Sequence, residues 1–101
     1  MFDMANLKKL GELDKLNPKG MTAFWAFDKA AFEPGTLSRR DKQLIAVAVA
    51  LATQCPYCIQ IHADAARNEG ASNEQLAEAA LVAAAIRAGG AVTHATHLSD
   101  D

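Results

Sequence analysis

The chain has 101 residues, half of them apolar but only 6% aromatic, and carries a net charge of −2. This is the length of one small domain, and the weak acidic balance argues against nucleic-acid binding. The longest apolar run, Leu44 to Ala52, is too short for a membrane-spanning helix, which needs about 20 residues. The N-terminus also lacks the pattern of a secretory signal. We therefore expect a soluble cytoplasmic protein with no membrane partner.

The first part of the chain, residues 1–36, predicts two helices. Leucines that recur every three residues predict the first over residues 3–16, and Asn17-Pro18-Lys19-Gly20 is expected to end it. The second is predicted over residues 21–32, which contain most of the aromatic side chains. These aromatics fit a core or a subunit contact, or alternatively one wall of an apolar pocket beside the cysteines.

The remaining core, residues 37–98, begins with a helix that Ser38 is expected to cap. The apolar run within this helix covers all of its sides and predicts burial on most of them. An alanine-rich domain of this size has a limited interior, so leftover apolar surface is expected to be buried in a homo-oligomer.

Local signals divide the rest of the chain. A helix is predicted from Pro56 to a stop at Gly70, and Ser72 with Gln75 predicts a capping box for the next helix. Gly89-Gly90 is expected to end that helix, before a short last one over residues 91–98. No two strand patterns face each other across a hairpin turn. The predicted fold class is therefore all-α, with about five to six helices.

The two cysteines of the chain, Cys55 and Cys58, stand at the start of a predicted helix. Proline is tolerated in a first helical turn, so Pro56 makes Cys55 the N-cap. Cys55 and Cys58 are then one turn apart, with Cβ atoms about 5–6 Å from each other, close to what a disulfide requires. His62 lies a turn beyond Cys58 on the same face, within reach for proton exchange. A helix N-terminus lowers the pKa of a nearby thiol, so the pattern predicts a redox-active dithiol with a histidine partner.

Two other interpretations of these residues stay open. The cysteines could form an inert apolar pair or half of a zinc site, for which His62, His94 and His97 would have to supply ligands. The pair His94 and His97 otherwise fits an exposed surface pair, or a contact near the cysteines from a neighbouring subunit.

Several segments resemble the alkylhydroperoxidase D-like branch of the carboxymuconolactone decarboxylase family: residues 37–50, the run Gln54-Cys55-Pro56-Tyr57-Cys58, His62 and residues 69–72. The C-x-x-C-x-x-x-H spacing in a helical context is the specific part of this resemblance. Residues 24–32 and 88–94 further resemble small peroxidase-like members associated with arsenosugar biosynthesis. The resemblance implies one such all-α domain over residues 1–101, assembled as a homotrimer or homohexamer.

The resemblance also implies a chemistry. Cys58 would attack a hydroperoxide and become a sulfenic acid, Cys55 would resolve it to a disulfide, and His62 would belong to the proton relay. An external dithiol, such as a lipoyl-bearing or thioredoxin-like protein, would reduce the disulfide. The chemistry itself would use no metal and no organic cofactor.

Two positions depart from the pattern of the family. Gln43 stands where better-studied members have a glutamate, and Tyr57 stands where they often have a histidine. Gln43 can form hydrogen bonds but cannot take a proton, so a supporting relay through Gln43 and Tyr57 is expected to be weaker. A missing general base costs about 10²–10⁴-fold in rate, which predicts a slow peroxidase or a different substrate.

The identity of the attacking thiol is also in question. Cap geometry favours Cys55 as the more acidic thiol, whereas the spacing to His62 and the resemblance favour Cys58, which we assign as the nucleophile. Two alternative functions remain: a non-redox lyase of the decarboxylase type, and a metal-binding oligomeric scaffold that uses Cys55, Cys58 and His62. The cysteine pair counts against the lyase, because the decarboxylase branch generally lacks it.

Overall fold

A computed structural model describes residues 1–100, and every regular element in that range is helical. The prediction of an all-α fold is confirmed. The five α-helices, α1 to α5, span Leu10–Leu16, Pro18–Phe32, Arg39–Thr53, Pro56–Asn68 and Asn73–His94. Two 3-10 helices, Met4–Lys9 and Ala95–Leu98, precede α1 and follow α5.

The chain divides into two compact units, Met1–Arg39 and a second unit that begins at Arg40. This boundary lies close to the one that the sequence predicts between residues 36 and 37. The division assigns α1 and α2 to the first unit and leaves the cysteine motif entirely within the second. That residues 1–101 form one domain stays a prediction.

In the first unit, the helix predicted over residues 3–16 is present, but its first part, Met4–Lys9, is a 3-10 helix and only Leu10–Leu16 is α-helical. Asp3 caps it by accepting a hydrogen bond from the Ala5 N–H at 2.9 Å, and 3-10 turns are common at such helix ends. The predicted break at residues 17–20 is shorter than expected. Asn17 is the N-cap of α2, because its side-chain oxygen accepts from the Gly20 N–H at 3.1 Å, and Pro18 occupies the first turn.

The aromatic side chains of α2 remain largely at the surface. The Trp25 indole N–H donates to the Asp14 carboxylate at 2.8 Å, which ties α2 to α1. The Phe24 ring meets the Trp25 ring edge-on, with 5.0 Å between centroids. Phe27 is 71% exposed. These side chains therefore do not form a buried core within the chain.

The buried apolar residues of the second unit are all small or β-branched: Val47, Ala50, Ala66, Ala71 and Ala83. Small side chains let helix backbones approach closely but bury little area per residue. The prediction that α3 is buried on most sides is wrong for this chain alone, because Ile45 and Val49 are about half exposed. The apolar pattern of α3 is thus wider than the surface that the chain itself covers.

α5 begins as predicted and ends later. Ser72 Oγ accepts from the Gln75 N–H at 3.1 Å, and the Gln75 side chain accepts from the Ser72 N–H at 2.9 Å, which confirms the capping box. The predicted stop at Gly89-Gly90 is wrong, because the helix continues to His94. Each glycine costs roughly 0.5–1 kcal/mol relative to alanine, and the alanines on both sides are strong helix formers.

One side of α5 is apolar and exposed. Leu81, Val82, Ile86 and Val92, which we call the α5 face, are between 60% and 73% exposed. By length and composition alone, Asn73–Leu98 could also cross a membrane, and 6% of its most apolar window is buried. A single helix of this kind is weak evidence for a membrane span. What it establishes is apolar surface that the described residues do not cover.

Candidate redox site

The two cysteines lie at the N-terminus of α4. Cys55 has extended backbone angles and is the N-cap, with Pro56 in the first turn, which confirms the predicted cap. The Cys58 N–H donates to the Cys55 sulfur at 3.3 Å. The two residues are joined by a disulfide, with 5.3 Å between their Cα atoms. Both are half-buried, so this turn of the helix holds two sulfurs in bonding range with a partly open surface.

Cys55 also completes the end of α3. The Cys55 N–H donates to the Ala50 carbonyl at 3.0 Å, and the Gln54 N–H donates to the Leu51 carbonyl at 3.3 Å. These two bonds form the Schellman arrangement, in which the residue between helix and loop takes the left-handed conformation. Gln54 has a φ of 58°. This conformation costs a non-glycine residue roughly 1–2 kcal/mol, and it sets the direction in which the chain enters the cysteine turn.

The same arrangement ends α4, where the Ala71 N–H donates to Ala66 and the Gly70 N–H to Arg67, each at 2.9 Å. There a glycine with a φ of 91° occupies the left-handed position, as predicted for Gly70. Of the two residues in the left-handed conformation, Gln54 and Gly70, Gln54 has the higher conformational cost. It stands directly before the first cysteine.

His62 lies one turn beyond Cys58 in α4 and bonds across to α3. Its Nδ1 and the Gln43 Oε1 are 2.8 Å apart. Because an amide oxygen only accepts, Nδ1 must carry the proton in this hydrogen bond, and the neutral ring then has its lone pair on Nε2. Gln43 is buried, with 9% of its surface exposed. The amide therefore selects the tautomer and the orientation of a half-buried imidazole.

The structure thus joins Cys55 to Cys58 at the start of α4, and it joins His62 of α4 to Gln43 of α3 by a hydrogen bond. Tyr57, the fifth predicted site residue, lies between the cysteines in the first turn of α4 and is half-buried. The catalytic roles of all five stay predictions.

The histidines at the end of α5 pair with each other. The rings of His94 and His97 are 5.3 Å apart between centroids and tilted by 35°, and both residues are exposed. This fits the predicted surface pair. Among residues 1–100, no three or more His, Cys, Asp or Glu side chains are grouped so that they could hold a metal ion.

One contact of the site was not predicted. Arg87 of α5 donates a hydrogen bond through Nη1 to the backbone carbonyl of Ala52, in the last turn of α3. The sequence does carry a signal for it, because Arg87 is the one charged residue between Ala79 and Thr93. A cation within so apolar a stretch indicates a specific partner.

Comparison with known proteins identifies relatives over most of the chain. A family model described as the carboxymuconolactone decarboxylase family matches residues 18–101. The "uncharacterized protein 4 in cox locus" of Paracoccus denitrificans is 54% identical over 86 residues, which are 85% of this chain and 78% of that protein.

Two solved structures support the fold. A protein from Methanobacterium thermoautotrophicum is 39% identical, with a TM-score of 0.79 over 83% of this chain and 94% of its own. A carboxymuconolactone decarboxylase family protein from Thermotoga maritima, described as a candidate for an antioxidative response, is 31% identical. Its TM-score is 0.61, and the match covers 63% of this chain and 66% of its own. The resemblance to arsenosugar-associated members is not tested by these relatives and stays a prediction.

Proposed function

This chain belongs to the carboxymuconolactone decarboxylase family, and on that premise we propose that it is a thiol-dependent peroxidase. In this proposal the Cys55–Cys58 pair reduces a hydroperoxide, and His62 moves the proton. The observation that carries the proposal is the cysteine turn itself. Its two sulfurs are bonded at the N-terminus of α4, one turn from an imidazole that Gln43 holds in a defined tautomer. The Thermotoga maritima relative gives general support, since that protein is a candidate for an antioxidative response.

The first step oxidises Cys58. His62 Nε2 takes the proton of the Cys58 thiol, and the thiolate attacks the terminal oxygen of the hydroperoxide. A sulfur–oxygen bond forms while the oxygen–oxygen bond breaks. The sulfur is oxidised by two electrons to a sulfenic acid, and the hydroperoxide is reduced to an alcohol. The proton on His62 passes to the leaving alkoxide.

The second step closes the disulfide that the structure contains. The Cys55 thiol gives up its proton as its sulfur attacks the Cys58 sulfur, so a sulfur–sulfur bond forms, the sulfur–oxygen bond breaks, and the leaving hydroxide takes that proton to become water. An external dithiol then restores the pair by exchange: its two thiols become a disulfide as Cys55 and Cys58 become thiols. We expect a lipoyl-bearing or thioredoxin-like donor. Such reduction requires a reducing compartment, so the proposal includes a cytoplasmic location.

Gln43 distinguishes this site from one with a carboxylate behind the histidine. An ionised carboxylate accepts the Nδ1–H more strongly than an amide and stabilises the protonated ring. With Gln43 there, the imidazole is oriented by its hydrogen bond at 2.8 Å but receives less electrostatic support as it takes the proton. We therefore propose a peroxidase that is slow with simple hydroperoxides.

The dithiol also bears on the two alternative functions. A lyase of the decarboxylase type would have no use for a cysteine pair that forms a helix cap and a disulfide. A metal-binding scaffold would need Cys55 and Cys58 as separate thiolates, whereas here each sulfur is bonded to the other. Both alternatives are therefore less well supported than the peroxidase.

The proposal is tested by hydroperoxide consumption at catalytic protein concentration. We expect cumene hydroperoxide or hydrogen peroxide to be consumed over many turnovers with dihydrolipoamide or reduced thioredoxin as donor. Glutathione should support little turnover, because a monothiol must release the disulfide in two bimolecular steps. Consumption that does not exceed the protein-free rate with any dithiol donor would contradict the proposal.

We also propose that the α5 face is a contact between copies of this chain, in a homotrimer or homohexamer. Its four large apolar side chains are exposed along one side of the helix. Gly89 falls within the same side, and an added Cβ there would meet nothing within 4 Å. The chain itself does not require this glycine, yet it bears the helix cost. Close approach of a second helix explains both the glycine and the apolar side chains around it.

Sedimentation velocity tests the subunit contact. We expect the wild type to sediment at three or six times the chain mass and Ile86→Lys to sediment as a monomer, because a buried unpaired ammonium is costly. Ala84→Lys is the matched control: Ala84 is exposed on the same helix, outside the α5 face, and should leave the assembly intact. A monomeric wild type that pellets with phosphatidylcholine vesicles would contradict the proposal and favour a membrane contact.

A further inference from the structure

The carbonyl groups at the end of α3 each need a donor. The last four carbonyls of a helix lack partners within it, and here Cys55 and Gln54 supply backbone donors to Ala50 and Leu51. The carbonyl of Ala52, next along the helix, accepts from Arg87 of α5 instead. A cation at this end also complements the negative pole of the helix dipole. Arg87 thus adds a side-chain donor to the two backbone hydrogen bonds that shape the junction between α3 and α4.

This junction holds Cys55 from the α3 side, while the first turn of α4 holds it from the other, where the Ile59 N–H donates to the Cys55 carbonyl at 2.9 Å. Ala52 is three residues before Cys55, and between them Gln54 holds a left-handed conformation that a glutamine adopts only at a cost. The junction has no buried large side chain to stabilise it, since Thr53 and Gln54 are exposed and Ala52 is half-buried. A hydrogen bond from a separate helix therefore adds to the local hydrogen bonds that keep it closed.

We propose that Arg87 is a positioning residue for the dithiol, which acts by anchoring the α3–α4 junction so that Cys55 stays within bonding range of Cys58. The inference rests on the proposed function, because the position of Cys55 matters only if the dithiol reacts. What it predicts, however, is the equilibrium between the Cys55–Cys58 disulfide and the two thiols, whichever oxidant forms that disulfide. Without the anchor, the junction samples more conformations, and the effective concentration of the Cys55 thiol at the Cys58 sulfur falls. Both the rate and the equilibrium of disulfide closure then fall.

Position and chemistry both favour this role over a general stabilising one. Arg87 is exposed, so its removal leaves no cavity in the core. Its guanidinium crosses between two helices to reach a backbone carbonyl in the last turn of α3, three residues before Cys55. The expected consequence of losing it is therefore local to the dithiol.

The equilibrium constant between the Cys55–Cys58 disulfide and a dithiothreitol redox buffer tests the inference directly. We expect Arg87→Met, which keeps the stem but loses charge and donors, to lower the constant for disulfide formation about tenfold, or about 30 mV for this two-electron couple. Arg87→Lys can still donate to Ala52 and should lose less than about threefold, a rescue expected when a charged hydrogen bond is the cause. Sulfenic acid on Cys58 should also persist longer in Arg87→Met after one equivalent of hydroperoxide.

Arg67→Met is the matched control, because Arg67 is an exposed arginine of α4 whose guanidinium lies 3.8 Å from Asp64 and not at the junction. Its constant should equal that of the wild type. A constant for Arg87→Met within a factor of two of the wild type would overturn the inference, as would a lysine variant as impaired as the methionine one. If Arg87→Met does not fold, Arg87→Gln, too short to reach Ala52, is expected to show the same loss.

These measurements separate the inference from the proposed function. The equilibrium with dithiothreitol requires no hydroperoxide, so it can be measured even if the protein consumes none. An unchanged constant in an active peroxidase would overturn the role of Arg87 alone.

Discussion

Replacing Cys58 with serine is expected to reduce hydroperoxide consumption to the rate without protein. A hydroxyl in its place is far less nucleophilic than a thiolate at neutral pH. Cys55→Ser should instead react once, because Cys58 is still oxidised but has no partner to close the disulfide. Its sulfenic acid can be trapped with dimedone and located by mass spectrometry of peptides. Thus one substitution removes the first step, and the other isolates it.

Both serine variants are expected to keep the fold. Cys55 is the N-cap of α4, and serine is among the preferred N-cap residues, so Cys55→Ser retains a side-chain acceptor for the Cys58 N–H. Thermal melts of the variants should match that of the reduced wild type. Trapped sulfenic acid on Cys55 in Cys58→Ser, with none on Cys58 in Cys55→Ser, would reverse the two assignments.

The second large effect is expected at His62. His62→Gln should lower the rate of Cys58 oxidation by about 10²–10⁴-fold, the usual contribution of a positioned general base. Glutamine suits the comparison because its amide can still form a hydrogen bond to the buried Gln43 but cannot take a proton. Stopped-flow measurement of thiol loss with one equivalent of hydroperoxide gives the rate. A His62→Gln rate within about threefold of the wild type would remove His62 from the relay.

Gln43→Glu is the complementary variant. A carboxylate at this position accepts the His62 Nδ1–H and stabilises the imidazolium. The same stopped-flow measurement should then give a rate at least about tenfold above that of the wild type, within the range of general-base effects. An unchanged rate would show that the amide already serves the reaction as well as a carboxylate does.

The sequence predicts best those features that depend on neighbouring residues. The caps at Cys55 and Ser72 and the stop at Gly70 follow from side chains within a few positions, and all three are confirmed. The same local rules fail at Gly89-Gly90, where a helix continues through two glycines. At this point the glycines disfavour a helix, whereas the surrounding alanines favour one. A rule that considers one residue at a time does not compare these two effects.

Features that depend on distant residues are predicted less well. The hydrogen bond between Gln43 and His62 joins residues 19 positions apart, and spacing within one helix carries no information on it. Gln43 entered the predicted site through the resemblance to the family alone. The bond from Arg87 to Ala52 spans 35 positions, and no predicted element linked them. Likewise, the apolar pattern of α3 predicts burial but does not say whether the same chain or another copy supplies it.

The redox role of the cysteine pair is tested most directly by the intact mass of the fully reduced protein before and after one equivalent of hydroperoxide. We predict that the mass falls by that of two hydrogen atoms as Cys55 and Cys58 join, and that a dithiol donor restores it. The same treatment should leave no change in Cys58→Ser. An unchanged mass in the wild type, with both thiols still free and reactive toward an alkylating reagent, would contradict the account.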